Sequence, residues 1–260
     1  MIDLSAYRRT LAVDEVRSTA TGLTARAGAE RLEIDAVRPD VVRIRLSRGG
    51  RFDAPPTHAV VAEPEPVAVE VAVHPGRATV ATDELTVTLQ RDPFVLTVAR
   101  SDGTVVLRTA TDPDDGSSWA YATLNDSWVS RRDLGPGQVY GLGERTGGSD
   151  RRGRRVIPWN TDVRDPHRTA EFTAGYPSHD PRSDRTSTAF DPYYVGIPLW
   201  YHRDPATGAT GACFLDNAYR SAVDLTGQGC DLELAVDGGQ WCEYVFAGPS
   251  IEQVLGAYTW

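Results

Sequence analysis

Apolar and polar residues alternate with period two along much of the chain. Leu32, Ile34 and Ala36 are separated by charged residues, as are Val42, Ile44 and Leu46 by polar ones and Leu85, Val87 and Leu89 by threonines. Such spacing predicts strands with one buried face. Val67–Val73 and Phe94–Ala99 add β-branched runs, and Asp102-Gly103 before Thr104–Leu107 predicts a hairpin. Further strands are expected over Gln138–Leu142, Tyr193–Tyr201, Gly211–Leu215, Tyr219–Leu225, Asp231–Val236 and Trp241–Phe246. Nothing between them keeps a helical period beyond two turns. The expected fold is therefore all-β: a large antiparallel β-sandwich, built as a meander of short strands in two large sheets.

Two stretches depart from this pattern. Thr161–Pro192 is rich in Asp, Arg, Pro, Ser and Thr without periodicity, and a loop of that length within a compact domain is functional or disordered. At the C-terminus, Ser250 and Gln253 have the spacing of a capping box, and Ile251, Val254, Leu255 and Tyr258 fall on one helical face. A short helix is expected there. It begins with a proper cap and reaches Trp260 with no Gly or Asn cap after it, which suggests an N-terminal piece of a longer protein; the alternative is a natural terminal helix that frays. The Pro-rich stretch Asp53–Pro66 reads as another loop.

Composition narrows the function. The 260 residues suffice for one large domain or two small ones. All 27 basic residues are Arg, against 36 acidic ones, and the net charge of −9 disfavours phosphate backbones and anionic lipid as partners. Nucleic acid and membrane are excluded as expected partners. Met1–Arg9 shows no leader pattern, and no run of about 18 apolar residues occurs. Cys213, Cys230 and Cys242 are odd in number and lack C-x-x-C spacing, which points to reduced, partly buried thiols and a cytoplasmic location.

The candidate chemistry is sparse. Gly141-Leu142-Gly143 lacks the third glycine of a dinucleotide fingerprint and reads as a strand-end turn. Arg151, Arg152, Arg154 and Arg155 read as a solvated turn with local ion pairs, the alternative being a phosphate site. His58, His74, His167, His179 and His202 have no metal-ligand spacing, and no Ser sits in a nucleophile elbow. No metal, cofactor or catalytic residue is therefore assigned. The richest cluster is Pro158-Trp159-Asn160-Thr161-Asp162. An indole face suits the C–H side of a sugar ring, and Asn and Asp suit its hydroxyls. From composition alone, a core Trp followed by an Asx turn is the better account of the same residues.

Read in order, Gln138–Glu144, Arg152-Gly153, Trp159–Asp162, Asp191–Tyr194 with Gly196–Leu199, and Gly211–Asn217 resemble the N-terminal domain of glycoside hydrolase family 31, the α-glucosidases and α-xylosidases. Gly248–Tyr258 resembles the segment leading into that family's catalytic barrel. The resemblance implies a galactose-mutarotase-like sandwich over residues 1–249. It also implies that residues 250–260 begin the link to a missing (β/α)8 barrel in cis. It implies an α-linked oligosaccharide as the substrate of the full-length retaining enzyme, with Asp162 bonding a sugar hydroxyl. Trp159 and Asn160 are the neighbouring candidate contacts. Both catalytic carboxylates of the family lie in the barrel, and its Trp-x-Asp-x-Asn-Glu motif is absent here, so this chain alone is expected to be inactive. Two alternatives remain: a stand-alone carbohydrate-binding module using Trp159, Tyr193 and Trp200, and an aldose mutarotase, which needs a positioned His and Glu.

Overall fold

The computed structural model describes residues 4–52, 57–61, 64, 66–145, 148–160, 194–227 and 229–260. Strands are numbered in chain order. An eight-stranded sheet contains β2 (Asp14–Ser18), β3 (Gly22–Ala27), β4 (Glu30–Arg38), β5 (Val41–Arg48), β13 (Gln138–Gly141), β15 (Leu199–Arg203), β16 (Thr210–Leu215) and β19 (Trp241–Phe246). Their order across the sheet is β13-β15-β16-β19-β5-β4-β3-β2. A six-stranded sheet contains β1 (Arg8–Arg9), β11 (Ala122–Leu124), β12 (Ser127–Arg132), β14 (Arg155–Val156), β17 (Ser221–Asp224) and β18 (Leu232–Val236), ordered β1-β11-β12-β18-β17-β14. A five-stranded sheet runs β10 (Val105–Arg108), β9 (Val95–Arg100), β8 (Leu85–Gln90), β7 (Arg77–Ala81), β6 (Glu70–Val73). Every pairing is antiparallel.

The all-β sandwich expected from the alternation is thus present, with one difference. The second sheet is divided in two, and the five- and six-stranded sheets meet through an isolated bridge between Thr109 and Arg132. Register follows the apolar rows. Leu32 lies opposite Leu46, Ile34 opposite Ile44 and Ala36 opposite Val42, while Val87 lies opposite Val98 and Leu89 opposite Leu96. A one-residue slip would turn each row to solvent, so burial fixes the pairing. One continuous core takes Leu32, Ile44 and Trp241 from the large sheet, Val80, Leu85 and Leu96 from the five-stranded sheet, and Trp128 and Leu234 from the six-stranded sheet.

The outer face of the large sheet is also partly covered. Ser250 caps a helix, α1 (Ile251–Tyr258), through both halves of the expected capping box. Val254 and Ala257 bury against Val41, Ala212, Phe214 and Phe246. Tyr258 meets Phe214 edge-on, with ring centroids 5.4 Å apart. The buried face differs from the expected one: Ile251 and Leu255 are 38% and 43% exposed. The small Ala257 side chain lets the helix approach the Phe214 and Phe246 rings along the edge that also carries Val254 and Tyr258, which turns Ile251 and Leu255 to solvent.

Candidate functional site

Three segments meet where the chain enters and leaves 161–193: the end of β13, the stretch after β14, and the stretch before β15. Main-chain bonds tie the first to the third, Leu142 N–H to Leu199 O and Glu144 N–H to Val195 O, both 2.8 Å. Arg145 Nη2 donates to Ile157 O at 2.8 Å, and Gly196 N–H donates to Asn160 Oδ1. The backbones approach too closely for side chains. A Cβ on Gly143 (φ +79°) would sit 2.2 Å from Val195 O, and one on Gly196 would sit 2.6 Å from Trp159 N. Glycine is therefore required at both positions.

The candidate residues fall as follows. Trp159 is half-buried on Val129, Ile157, Ala222 and Ala235, so much of its indole serves packing. Asn160 is exposed, with its carbonyl oxygen holding Gly196. Asp162 lies outside the described residues, as do His167, His179 and Tyr193. Trp200, offered above as a stacking residue, is 2% exposed inside the core and presents no face to a ligand.

The arginine cluster is a correction to the expected solvated turn. Arg151 and Arg154 are buried. Arg151 donates from Nε to Gly141 O at 3.0 Å and from Nη1 to Gly148 O at 3.1 Å, and Arg152 Nε donates to Gly137 O at 2.6 Å. Arg155 Nε donates to Asp224 Oδ2 at 2.7 Å, joining β14 to β17. Arg151 and Arg152 are thus held on strand-end and turn carbonyls and Arg155 on a carboxylate, which removes them from phosphate chemistry. Gly141-Leu142-Gly143 is the tight strand-end turn expected, with Leu142 buried at φ +67°.

Sequence reasoning missed a buried ionic group. Arg132 Nη2 on β12 donates to both oxygens of Glu243 on β19, at 2.9 and 3.1 Å, and the Tyr121 hydroxyl donates to Glu243 Oε1 at 2.7 Å. Arg132 and Glu243 are both 0% exposed. The carboxylate is closed to any sugar, so it is not the general base that a mutarotase needs. Of the described histidines, His58 and His74 are exposed on loops, and His202 Nε2 lies 3.1 Å from Pro136 O. Burial and the Arg152 charge lower the His202 pKa. The thiols are inert: burial pushes Cys230 and Cys242 up to about 12 and Cys213 well above its ordinary value. No helix among the described residues is long and apolar enough to cross a membrane.

Known proteins resemble this chain in sequence or in fold. Over 228 residues the chain is 28% identical to Alpha-glucosidase 2 of Bacillus thermoamyloliquefaciens, covering 88% of this chain and 26% of that protein. Its fold is similar to that of a GH31 dextranase from Flavobacterium johnsoniae solved with isomaltotriose, with a TM-score of 0.76 at 18% identity, covering 96% of this chain and 28% of that one. It is also similar to a cycloalternan-forming enzyme from Listeria monocytogenes in complex with a pentasaccharide substrate, with a TM-score of 0.68 at 15% identity, covering 93% and 21% of the two chains. The chain thus spans about a quarter of the length of these relatives. Residues 31–224 match the model of the glycosyl hydrolase 31 N-terminal galactose mutarotase-like domain. With most of its sandwich inside that match, the chain belongs to the family of glycosyl hydrolase 31 N-terminal domains of galactose mutarotase-like fold.

Proposed function

We propose that this chain is the N-terminal accessory sandwich of an α-glycosidase, with residues 1–249 forming the sandwich and 250–260 starting the link to a (β/α)8 barrel in cis. The barrel supplies both carboxylates of a retaining hydrolysis, and the substrate is an α-linked oligosaccharide. This chain supports the barrel and lends a contact from the segment that begins at Trp159 and Asn160, where Asp162 accepts a hydrogen bond from a sugar hydroxyl. The observation that carries this reading is the family match joined to a close-packed, glycine-lined base at both ends of 161–193. Retaining chemistry needs two accessible carboxylates about 5–5.5 Å apart. The buried Glu243, engaged by Arg132 and Tyr121, does not supply one of them.

The test has two arms. The isolated chain is expected to release no p-nitrophenol from p-nitrophenyl α-glucoside above the uncatalysed rate, and measurable turnover would refute the assignment of catalysis to the barrel. In a protein joining this sandwich to its barrel, Asp162→Ala is expected to lower kcat/KM by about tenfold or more, the value of one charge-assisted hydrogen bond. An unchanged kcat/KM removes Asp162 from the site.

A further inference from the structure

A groove of about 610 Å³ lies on the outer face of the large sheet. Arg43 and Arg45 of β5 form its floor, and Asp216, Asn217 and Tyr219 beyond β16 form one wall with Trp260. The Asp216 wall is one strand step from the stretch before β15, where Leu215 N–H donates to Pro198 O at 2.9 Å, so the groove borders the loop base. Its volume lies within the range of about 300–1,000 Å³ usual for small-ligand sites.

Tyr219 is held as a platform. A Cβ on Gly238 would lie 3.0 Å from Tyr219 Cδ1, and one on Gly239 would lie 2.8 Å from Cδ2, so one face of the ring rests on this dipeptide. The residue is nevertheless 54% exposed. Asn217 fixes the arrangement: its Nδ2 donates to Gly238 O at 3.1 Å and Gln240 O at 2.9 Å, and its Oδ1 accepts from Tyr219 N–H at 2.7 Å. An aromatic ring pinned on one side and open on the other has its ordering entropy already met before a ligand arrives.

Charge selects the ligand. Arg43 Nη2 lies 3.0 Å from Asp35 Oδ2, and Arg45 pairs with Glu33, so both guanidiniums are compensated before Asp216 is counted. Two guanidiniums against three carboxylates disfavour an anion, while the polar floor disfavours a purely apolar guest. A neutral polyol with an apolar ring face meets both conditions. We propose that the groove is a carbohydrate-binding site centred on the Tyr219 platform, taking a neutral oligosaccharide with one pyranose stacked on the open face of that ring and its hydroxyls bonded by Asp216, Gln240 and the arginine floor. The proposal rests on the Tyr219 platform and does not require the role proposed for Asp162.

Calorimetric titration of the chain with maltotriose tests this. Saturable one-site heat is expected, weakened at least tenfold by Tyr219→Ala, kept within about twofold by Tyr219→Phe, and unaffected by Trp159→Ala. No saturable heat up to about 20 mM sugar, well above a Kd of about 1 mM, overturns the proposal. Binding that survives Tyr219→Ala overturns it as well, and loss in Trp159→Ala would instead put the sugar at the loop base.

Discussion

Replacing Glu243 by Gln should expose the cost of the ion pair that joins the two layers. The change keeps the shape of the side chain and its contact with Tyr121 but leaves the Arg132 guanidinium buried without its counter-charge. Both side chains are at most 1% exposed, so water does not take over the lost interaction. Breaking one side of such a pair costs about 3–5 kcal/mol. For a domain of this size that lowers Tm by about 6–20 °C, or the urea midpoint by about 1 M or more at a slope of about 3 kcal/mol per M. Among the described residues Arg132 Nε has no acceptor, so the pair already carries an unmet desolvation cost. Removing both charges, Arg132→Met with Glu243→Leu, should therefore recover most of the loss, and adding Tyr121→Phe removes the hydroxyl left without an acceptor. Chemical and thermal unfolding of the single, double and triple variants form the assay. A single-variant cost under about 1 kcal/mol, or a double variant as unstable as Glu243→Gln, would refute the reasoning.

Three other perturbations have defined outcomes. Gly196→Ala forces a Cβ to within 2.6 Å of Trp159 N and 2.7 Å of Pro158 C, backbone atoms that cannot swing aside, and should cost about 1–3 kcal/mol; an unchanged Tm would show that the close approach is absent in solution. His202 has a folded-state pKa below its ordinary 6.5, so the unfolded chain takes up the proton first as pH falls. The stability of the neutral ring is complete above 6.5 and is lost as pH falls from there through the lower folded value, and His202→Gln should flatten the change in urea midpoint between about pH 7.5 and about pH 5.5. Ser250→Ala removes the side chain that accepts from Gln253 N–H at 3.2 Å and should cost about 1 kcal/mol, whereas Ser250→Gly should cost only a few tenths; equal losses would mean the cap is not the cause.

The fold was legible wherever one face of a strand meets core and the other meets water. β4, β5 and β8 alternate cleanly over Arg31–Ala36, Val42–Leu46 and Leu85–Leu89 because their outward residues there are charged or threonine. β12 gives no such signal. Trp128, Val129, Ser130 and Arg132 are all fully buried, since Val129 faces a small second cluster while Ser130 and Arg132 find polar partners on other chain segments. A Ser and an Arg in the core look like surface residues until their acceptors, Ala120 O and Glu243, are known. β3 was missed for a different reason: its inward residues include Ala25 and Ala27, too small to mark an apolar row. At the candidate site, composition singled out Trp159 and Asn160, but nothing local announces that Gly196 presses on the Trp159 backbone.

That contact bears on the role proposed for Asp162. A contributing side chain must be placed to within about half an ångström, and a long segment meets this only if its ends are fixed before it is ordered. Here the entry and exit are fixed by backbone pairing without room for a Cβ, and the guanidiniums beside them do what ammonium groups would not. Arg151 spans Gly141 O and Gly148 O, and Arg152 spans Gly137 O and Gly135 O, each from one planar fork. A lysine offers a single mobile point charge in place of two fixed donors. Arg151→Lys should then loosen the base while keeping its charge, a loss visible as faster amide exchange at Leu142 and Glu144, whose N–H groups bond Leu199 and Val195. Unchanged exchange there would mean that the backbone pairing alone sustains the frame.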